Sequence, residues 1–423
     1  MDAAFAIPEL PALRKGARIW LAYSGGLDST VLLHRLHEAG VPGLRAVHVH
    51  HGLQADADAW ARHCRAQCRA LGVPFTLLRV AIQARHPAGP EAAAREARYA
   101  ALRERLRSGD LLVTAHHRRD QAETVLLRLL RGSGVEGLAA MRPLKALPPG
   151  QLWRPLLEVS RMQLRAEAER RGLYWIEDPH NRAPRYARSF LRESVWPLLE
   201  MRWPQAEASL ARAAGHCAEA AQLLAEVATQ DLALLGDGET LGVAALKSLP
   251  PARRRNALRH WLAQRGYEAP PTAAWDRLER EVLDAREDAR PLLRLGDCEF
   301  RRYRDRLYLM APLPPAPGAL ELTWDGRATL RLPAGCGTLR ATGRRARPVE
   351  LRVRFPQGGE TLRPEGGTRT RTLKNLFQEA GVPPWQRLRT PLIYREGALV
   401  SVADRWRAAG EDTENLRFTW TVA

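Results

Sequence analysis

The chain of 423 residues has no apolar run approaching the ~18 residues a helix needs to cross a bilayer. Its first residues, with Asp2, Pro8 and Glu9, also lack the basic-then-apolar layout of a signal peptide. Both absences predict a cytoplasmic protein. Cysteine is scarce: Cys64, Cys68, Cys217, Cys298 and Cys336 form an odd, scattered set, which argues against a disulfide framework. No CxxC pair exists to anchor zinc or an iron–sulfur cluster, and all five read as ordinary thiols. The Walker A pattern, GxxxxGK followed by Ser or Thr, is missing, so γ-phosphoryl chemistry of the P-loop type is not indicated. No internal repeat is present. Lysine is rare, confined to Lys15, Lys145, Lys247 and Lys374.

What is abundant is arginine, which carries most of a formal charge of +18. A guanidinium stays charged at any physiological pH and grips phosphate in a two-toothed fork, so an Arg-rich surface suits a polyanion. A GC-rich genome that uses Arg wherever Lys would serve explains part of the excess. The length predicts two or three domains, at roughly 150 residues each.

Residues 1–205 alternate strand-like runs with amphipathic stretches. Ile19–Tyr23, Arg45–Val49, Phe75–Val80 and Leu111–Ala115 read as strands, and Thr30–Ala39, Asp56–Leu71, Glu91–Leu106 and Gln121–Leu130 as helices. That order implies an α/β domain with a mostly parallel sheet covered on both faces, its ligands beyond the carboxyl ends of the strands. Residues 206–311 read as a small helical domain closing with a strand-like stretch over Cys298–Met310. A Pro-rich linker at 312–317 leads into a C-terminal α+β domain, 319–423. There, strand-like runs at Ala319–Trp324, Ala328–Leu332, Leu351–Phe355, Leu392–Tyr394 and Leu399–Val402 surround a helix over Thr372–Ala380.

The strongest chemical signal is Ser24-Gly25-Gly26-Leu27-Asp28-Ser29-Thr30, directly after a strand and opening a helix. Paired glycines let backbone approach an anion, and amides at a helix N-terminus point at it. Ser24, Ser29 and Thr30 add hydroxyls. Asp28 repels a phosphate unless a metal lies between them, which makes it a candidate Mg²⁺ ligand. A second segment, His48-Val-His50-His51-Gly-Leu53, ends the next strand; without nearby Cys or carboxylates it reads as a cover for a nucleotide rather than a metal site. Glu91, Arg95 and Arg98 share one helical face, with Tyr99 following. Next come Thr114, His116, His117, Arg119, Asp120, Gln121, Glu123 and Thr124, then Arg131-Gly-Ser-Gly134. Asp120 and Glu123, three apart in a first helical turn, form either a capping pair or a two-carboxylate site for an ammonium or Mg²⁺. Arg154-Pro-Leu-Leu157, then Glu177-Asp178-Pro179 with Asn181, and Arg188 with Arg192 on one helical face complete the set. The C-terminal Gln357-Gly-Gly-Glu-Thr-Leu-Arg-Pro364 and Leu373-Lys-Asn-Leu-Phe-Gln-Glu379 suit an RNA backbone without being diagnostic.

These segments resemble the tRNA(Ile)-lysidine synthetases of the PP-loop ATP pyrophosphatase superfamily. The first is similar to the SGGxDS loop, the second to HVNHGL with His50 where the family has Asn, and the third to EAxARxxRY. The fourth is similar to AHHxDDQAETxLxxLxRGSGxxGLxxM, running to Met141 with Arg119 in place of the first Asp. The fifth follows RPLL, EDPxN and SRNxxR, with Ser189 at the Asn position. The likeness spans nearly the whole chain, densest in residues 20–200 and weakest in 206–310.

The resemblance implies a PP-loop fold with a helical and a C-terminal domain on the tRNA. It implies that ATP is split to AMP and pyrophosphate, with Mg²⁺ on Asp28 and Asp120. The wobble cytidine of a CAU-anticodon tRNA(Ile) is adenylated and free lysine then displaces AMP. Ser24 to Thr30, His50 and His116 take ATP; Arg95 or Arg98 reaches the phosphates. Asp28, Asp120, Glu123 and Arg95 act in catalysis, Glu123 or Asp120 holding the lysine amine. Arg98, Arg188 and Arg192 suit tRNA or phosphate. A PP-loop thiolase, an amidotransferase-type synthetase and an inactive tRNA-binding homologue are the competing readings.

Overall fold

The computed structural model describes residues 5–52, 56–81, 90–177, 187–286, 289–343, 350–410 and 416–422. The readings at Leu53, Asp178, Pro179 and Asn181, and that of the Glu91 side chain, lie outside them. The chain divides into two compact units, one ending at Leu224 and one beginning at Ala225.

The first unit runs β1 (Ile19–Ala22), α1 (Leu27–Glu38), β2 (Leu44–His50), α2 (Ala57–Ala70), β3 (Phe75–Arg79), α3 (Pro90–Arg105), β4 (Leu111–Val113), α4 (Arg118–Leu129) and α5 (Val135–Leu138). It continues with β5 (Leu144–Leu147), β6 (Gly150–Trp153), α6 (Arg161–Arg170) and α7 (Ala187–Phe190). After a π-helical turn at Leu191–Val195 come α8 (Trp196–Arg202) and α9 (Ala206–Leu235). The six strands lie in the order β3-β2-β1-β4-β6-β5, with every pairing parallel except the edge hairpin β5–β6. Both faces are apolar, as a covered parallel sheet requires. Along β1, Ile19, Leu21 and Tyr23 point into one cluster with Leu33, Cys64 and Leu164; Trp20 points into another with Leu102 and Leu106. Leu21 is fully enclosed, and its truncation to Ala costs about 2–5 kcal/mol.

The strand order reverses between β1 and β4, and the two loops that follow these strands open α1 and α4 at that switch point. Helix α4 starts at Arg118, earlier than its apolar spacing alone predicts, because His117 caps it. The His117 side chain accepts the Arg119 N–H while Asp120 accepts the His117 N–H.

The second unit begins within α9 and continues with β7 (Thr240–Gly242), α10 (Val243–Ser248), α11 (Pro251–Gln264), α12 (Thr272–Leu278), β8 (Leu292–Leu295), β9 (Cys298–Tyr303) and β10 (Arg306–Met310). Its helices pack Trp261 and Trp275 against Phe300 on an antiparallel sheet ordered β7-β10-β9-β8, so this stretch is richer in strand than its helical periodicity suggests. The remainder is built on a five-stranded and a three-stranded sheet, with cores around Val353 and Ile393, and around Phe377 and Leu392. Trp385 meets Tyr308 edge-on at 5.1 Å, with the Arg301 guanidinium 5.2 Å from its ring, which fastens the earlier sheet to the C-terminal part of this unit.

Candidate active site

The loop after β1 is shaped by what its glycines permit. Gly25 has φ +82°, and a Cβ there would lie 2.8 Å from Cys64 Sγ and 3.0 Å from Ile176 Cδ1. The Gly25 carbonyl accepts the Ile176 N–H at 2.9 Å and the Thr30 hydroxyl at 3.3 Å. The Ser29 hydroxyl donates to the Gly26 carbonyl at 3.1 Å and lies 3.0 Å from Ser24 Oγ. Leu27 and Thr30 are buried, so they shape the loop from beneath, while Ser24, Gly26 and Asp28 stay more open.

The histidines after β2 divide their work. His48 donates from Nδ1 to the Tyr23 carbonyl at 2.9 Å and so braces the strand that leads into the loop. His50 points its Nε2 at Asp58 Oδ1, 3.3 Å away, with Arg79 at 3.5 Å. His51 is pushed down to about 4 by burial, with Arg98, His48 and His50 adding to the effect.

Two carboxylates from different elements converge on one nitrogen. His117 Nε2 is 3.7 Å from Asp28 Oδ2 and 3.6 Å from Asp120 Oδ2. Because Nδ1 accepts the Arg119 N–H at 3.2 Å, the ring proton sits on Nε2, facing both acids. Burial raises the Asp28 pKa against the pull of His117, and Asp28 Oδ1 is buried without a hydrogen-bond partner. Burial acts to raise Asp120 too, but His117, His116 and the His117 N–H outweigh it and hold this acid down at about 2. Two part-buried carboxylates, one with a buried oxygen that lacks a partner, could hold a hard cation that completes its shell elsewhere; Mg²⁺ held by one or two carboxylates and substrate phosphates fits. Among the described residues no group of three or more His, Cys, Asp and Glu is placed to hold a metal ion.

Beside this pair the chain packs the 187–202 segment against α4. Glu123 is fully buried and receives Arg192 Nε and Nη2, both at 2.8 Å, with Arg188 Nε at 3.5 Å. Arg188 also donates to Thr124 Oγ1 at 2.7 Å, and Arg192 Nη2 reaches Asp120 Oδ1 at 3.5 Å. Sequence reasoning put Asp120 with Glu123, and Arg188 with Arg192, as separate pairs; the structure joins them in one cluster.

A second concentration of cations lies around His116. Its Nδ1 is 2.8 Å from Thr114 Oγ1. Burial pushes His116 down to about 3, opposed by Asp120 and reinforced by Arg154, Arg95 and Arg98. Burial also lowers Arg98, with Arg95 and Arg188 adding to it against Tyr99, over whose ring Arg95 and Arg98 lie at 5.0 and 5.7 Å. Crowded guanidiniums of this kind are relieved by an anion. Arg154 belongs to this group, and its neighbourhood was not legible from its RPLL motif alone.

A Gly loop that opens a helix and two converging carboxylates at the switch point of a parallel sheet are what an ATP-using PP-loop domain needs. Accordingly, the PP-loop domain model matches residues 3–199, the TilS substrate binding domain model 241–308 and the TilS substrate C-terminal domain model 351–420. The chain is 46% identical over 397 residues to a tRNA(Ile)-lysidine synthase of Alkalilimnicola ehrlichii, covering 91% of this chain and 88% of that one. It is 46% identical to one from Pseudomonas syringae pv. tomato, over 97% and 93% of the two chains. Against one from Xanthomonas campestris the identity is 43%, over 96% and 93%. The chain belongs to the tRNA(Ile)-lysidine synthase family. Among solved structures, the U34-tRNA thiolase NcsA from Methanococcus maripaludis is 19% identical over 49% of this chain and 73% of that one, at a TM-score of 0.39.

Proposed function

We infer that this chain makes lysidine on tRNA(Ile): it adenylates the wobble cytidine of a CAU anticodon with ATP, and the ε-amine of lysine then displaces AMP. The observation that carries the reading is near-full-length similarity to lysidine synthases together with an intact Gly loop whose Asp28 converges with Asp120 on His117. In the first step the carbonyl oxygen of the cytidine attacks the α-phosphorus and pyrophosphate leaves. In the second, the lysine ammonium first loses a proton to water, its amine attacks carbon 2, the C–O bond breaks with AMP taking the electron pair, and the nitrogen releases one more proton to water.

Asp28 and Asp120 would hold Mg²⁺, which supplies charge neutralisation for the phosphates. The amides opening α1 and the Ser24 and Ser29 hydroxyls take the departing pyrophosphate, with Arg95 and Arg98 placed for the phosphates that remain. His50 and His116 belong to the ATP side of the site. An acid held at about 2 is a poor base, so Asp120 is suited to holding the lysine ammonium or the metal rather than to accepting a proton. Glu123 fixes Arg188 and Arg192, which face the lysine and the tRNA. Residues 1–205 carry the chemistry, and 206–311 and 319–423 hold the body of the tRNA. The setting is the cytoplasm; among the described residues no helix is long and apolar enough to cross a membrane.

A thiolase would need an accessible, acidic thiol near the loop. Cys64 and Cys68 are buried, and burial pushes both up to about 12, which speaks against sulfur transfer. The test is incubation with ATP, Mg²⁺, labelled lysine and tRNA(Ile) bearing CAU. Label in an alkali-stable nucleoside with AMP and pyrophosphate released is expected. AMP without incorporated lysine would redirect the search to another acceptor chemistry, and no AMP at all from folded protein would leave a tRNA-binding role.

A further inference from the structure

Arg119 stands where the family signature has an acid, and the structure gives it a defined set of partners. Its Nη2 pairs with Glu200, its Nε donates to Glu207 Oε2 at 3.0 Å, and its guanidinium carbon lies 4.3 Å from the Trp196 ring centre. Arg118 takes the other oxygen of Glu207 at 3.0 Å. Trp196 is fully buried, and Glu207 nearly so.

These contacts extend a pattern. Arg188, Arg192, Trp196 and Glu200 follow one another at intervals of four, so a helical segment shows them on one face. That face meets α4 rung by rung: Arg188 on Thr124, Arg192 on Glu123, then Trp196 and Glu200 both on Arg119. The first two rungs carry the cluster assigned to lysine and tRNA. The last two meet on Arg119, beside the π-helical turn Leu191–Val195, where an extra residue per turn alters the phase of the segment.

We propose that Arg119 is a positioning residue for the lysine side of the site: it locks the rotational phase of the 187–202 segment against α4, so that Arg192 and Arg188 stand on Glu123 and Asp120. The claim rests on the assignment of that cluster to the lysine step. The Arg119 side chain engages Glu200, Glu207 and Trp196, while the Gly loop stands on β1 and α1, so loss of that side chain is expected to fall on lysine far more than on ATP. A lysine here has one ammonium and cannot fork between Glu200 and Glu207 while lying flat on an indole.

The experiment compares Arg119→Asp, Arg119→Lys and Glu200→Gln with the wild-type protein, measuring KM for lysine, KM for ATP and amide exchange by segment. Arg119→Asp is expected to raise KM for lysine about tenfold while KM for ATP stays within about twofold. Arg119→Lys and Glu200→Gln, which remove part of the clamp, are expected to raise it about two- to fourfold. Combining Arg119→Glu with Glu200→Arg is expected to recover part of the loss. In every variant, amides of 187–202 exchange faster and those of 27–38 do not. An unchanged KM for lysine, or lysine and ATP constants that rise together, overturns the proposal. Should Arg119→Asp fail to fold, the same criteria apply to Arg119→Lys and to Glu200→Gln, whose glutamate is substantially exposed. If the wild-type protein itself makes no lysidine, the functional assignment fails, and exchange alone decides the clamp: equal protection of 187–202 with and without Arg119 overturns it.

Discussion

Cys64 Sγ sits where a side chain on Gly25 would have to begin, 2.8 Å from the position of an added Cβ. The thiol and the glycine thus define the floor of the Gly loop between them, and the positive φ of Gly25 adds a conformational demand on the same residue.

Gly25→Ala therefore strains the loop in two ways, through its backbone and through Cys64. The expected result is a rise in KM for ATP of at least about tenfold, with a stability loss of about 1–3 kcal/mol. Steady-state kinetics and urea unfolding check this, and an unaltered KM for ATP would refute the role given to the loop. Pairing Gly25→Ala with Cys64→Ala relieves the clash but not the φ, so it recovers part of the loss.

Glu123→Gln removes the charge that holds Arg192 and Arg188. The lysine requirement is expected to rise, or the second step to stop, while adenylated tRNA still accumulates. Leaving the guanidiniums without their carboxylate costs about 1–3 kcal/mol. Trapping the adenylated tRNA and titrating lysine test this; unchanged lysine dependence removes Glu123 from the lysine step.

His51 gives a pH signature. Its folded pKa, about 4, lies below the ordinary imidazole value of about 6.5, so over that interval the unfolded chain binds a proton that the folded protein refuses. Stability contributed at His51 is complete above about pH 6.5 and is lost as the pH falls toward 4. His51→Gln is expected to narrow the drop in urea midpoint between neutral and mildly acidic buffer, relative to wild type. An identical drop in both proteins would refute the assignment.

Charge governs the encounter with RNA. With a formal charge of +18, binding of tRNA(Ile) is expected to weaken by at least about tenfold between 50 and 200 mM salt. Filter binding over a salt series measures the slope, and a flat dependence would count against an electrostatic grip.

Much of the first unit is legible from apolar spacing. Strands β1 to β4 announce themselves as short runs because both faces of a parallel sheet are buried, and their ends follow within a residue or two. The starts of α1 and α4 were read too late. Gly26 and His117 supply the caps there, and neither the glycine nor the histidine marks a helix start as plainly as Ser or Asp does. Helix α6 does carry a local start signal, the capping box of Ser160 and Gln163. The edge hairpin β5–β6 escaped because its strands are four residues each around a Pro-Pro-Gly turn.

The candidate site splits along a similar line. Residues that act through one local segment, such as Ser24 to Ser29 around the Gly loop, could be found by motif. Contacts between distant segments could not: nothing near Glu207 in sequence indicates that it will hold Arg118 and Arg119. Likewise His50 reads as a nucleotide contact by position, but its neighbours Asp58 and Arg79, set by the adjoining helix and strand, could not be read from its segment. The four-residue interval from Arg188 to Glu200 was visible, but the partner face was not.

The hydrogen bond from Ile176 to the Gly25 carbonyl also sets an order of events during synthesis. The Gly loop leaves the ribosome early, but the strand β6 that flanks β4, and the segment that clasps Gly25, are made far later. Closing so long a loop is slow compared with forming local helices, so the ATP site is among the last parts of this unit to mature. A nascent chain halted before Ile176 would hold every residue of the Gly loop and still lack its clasp.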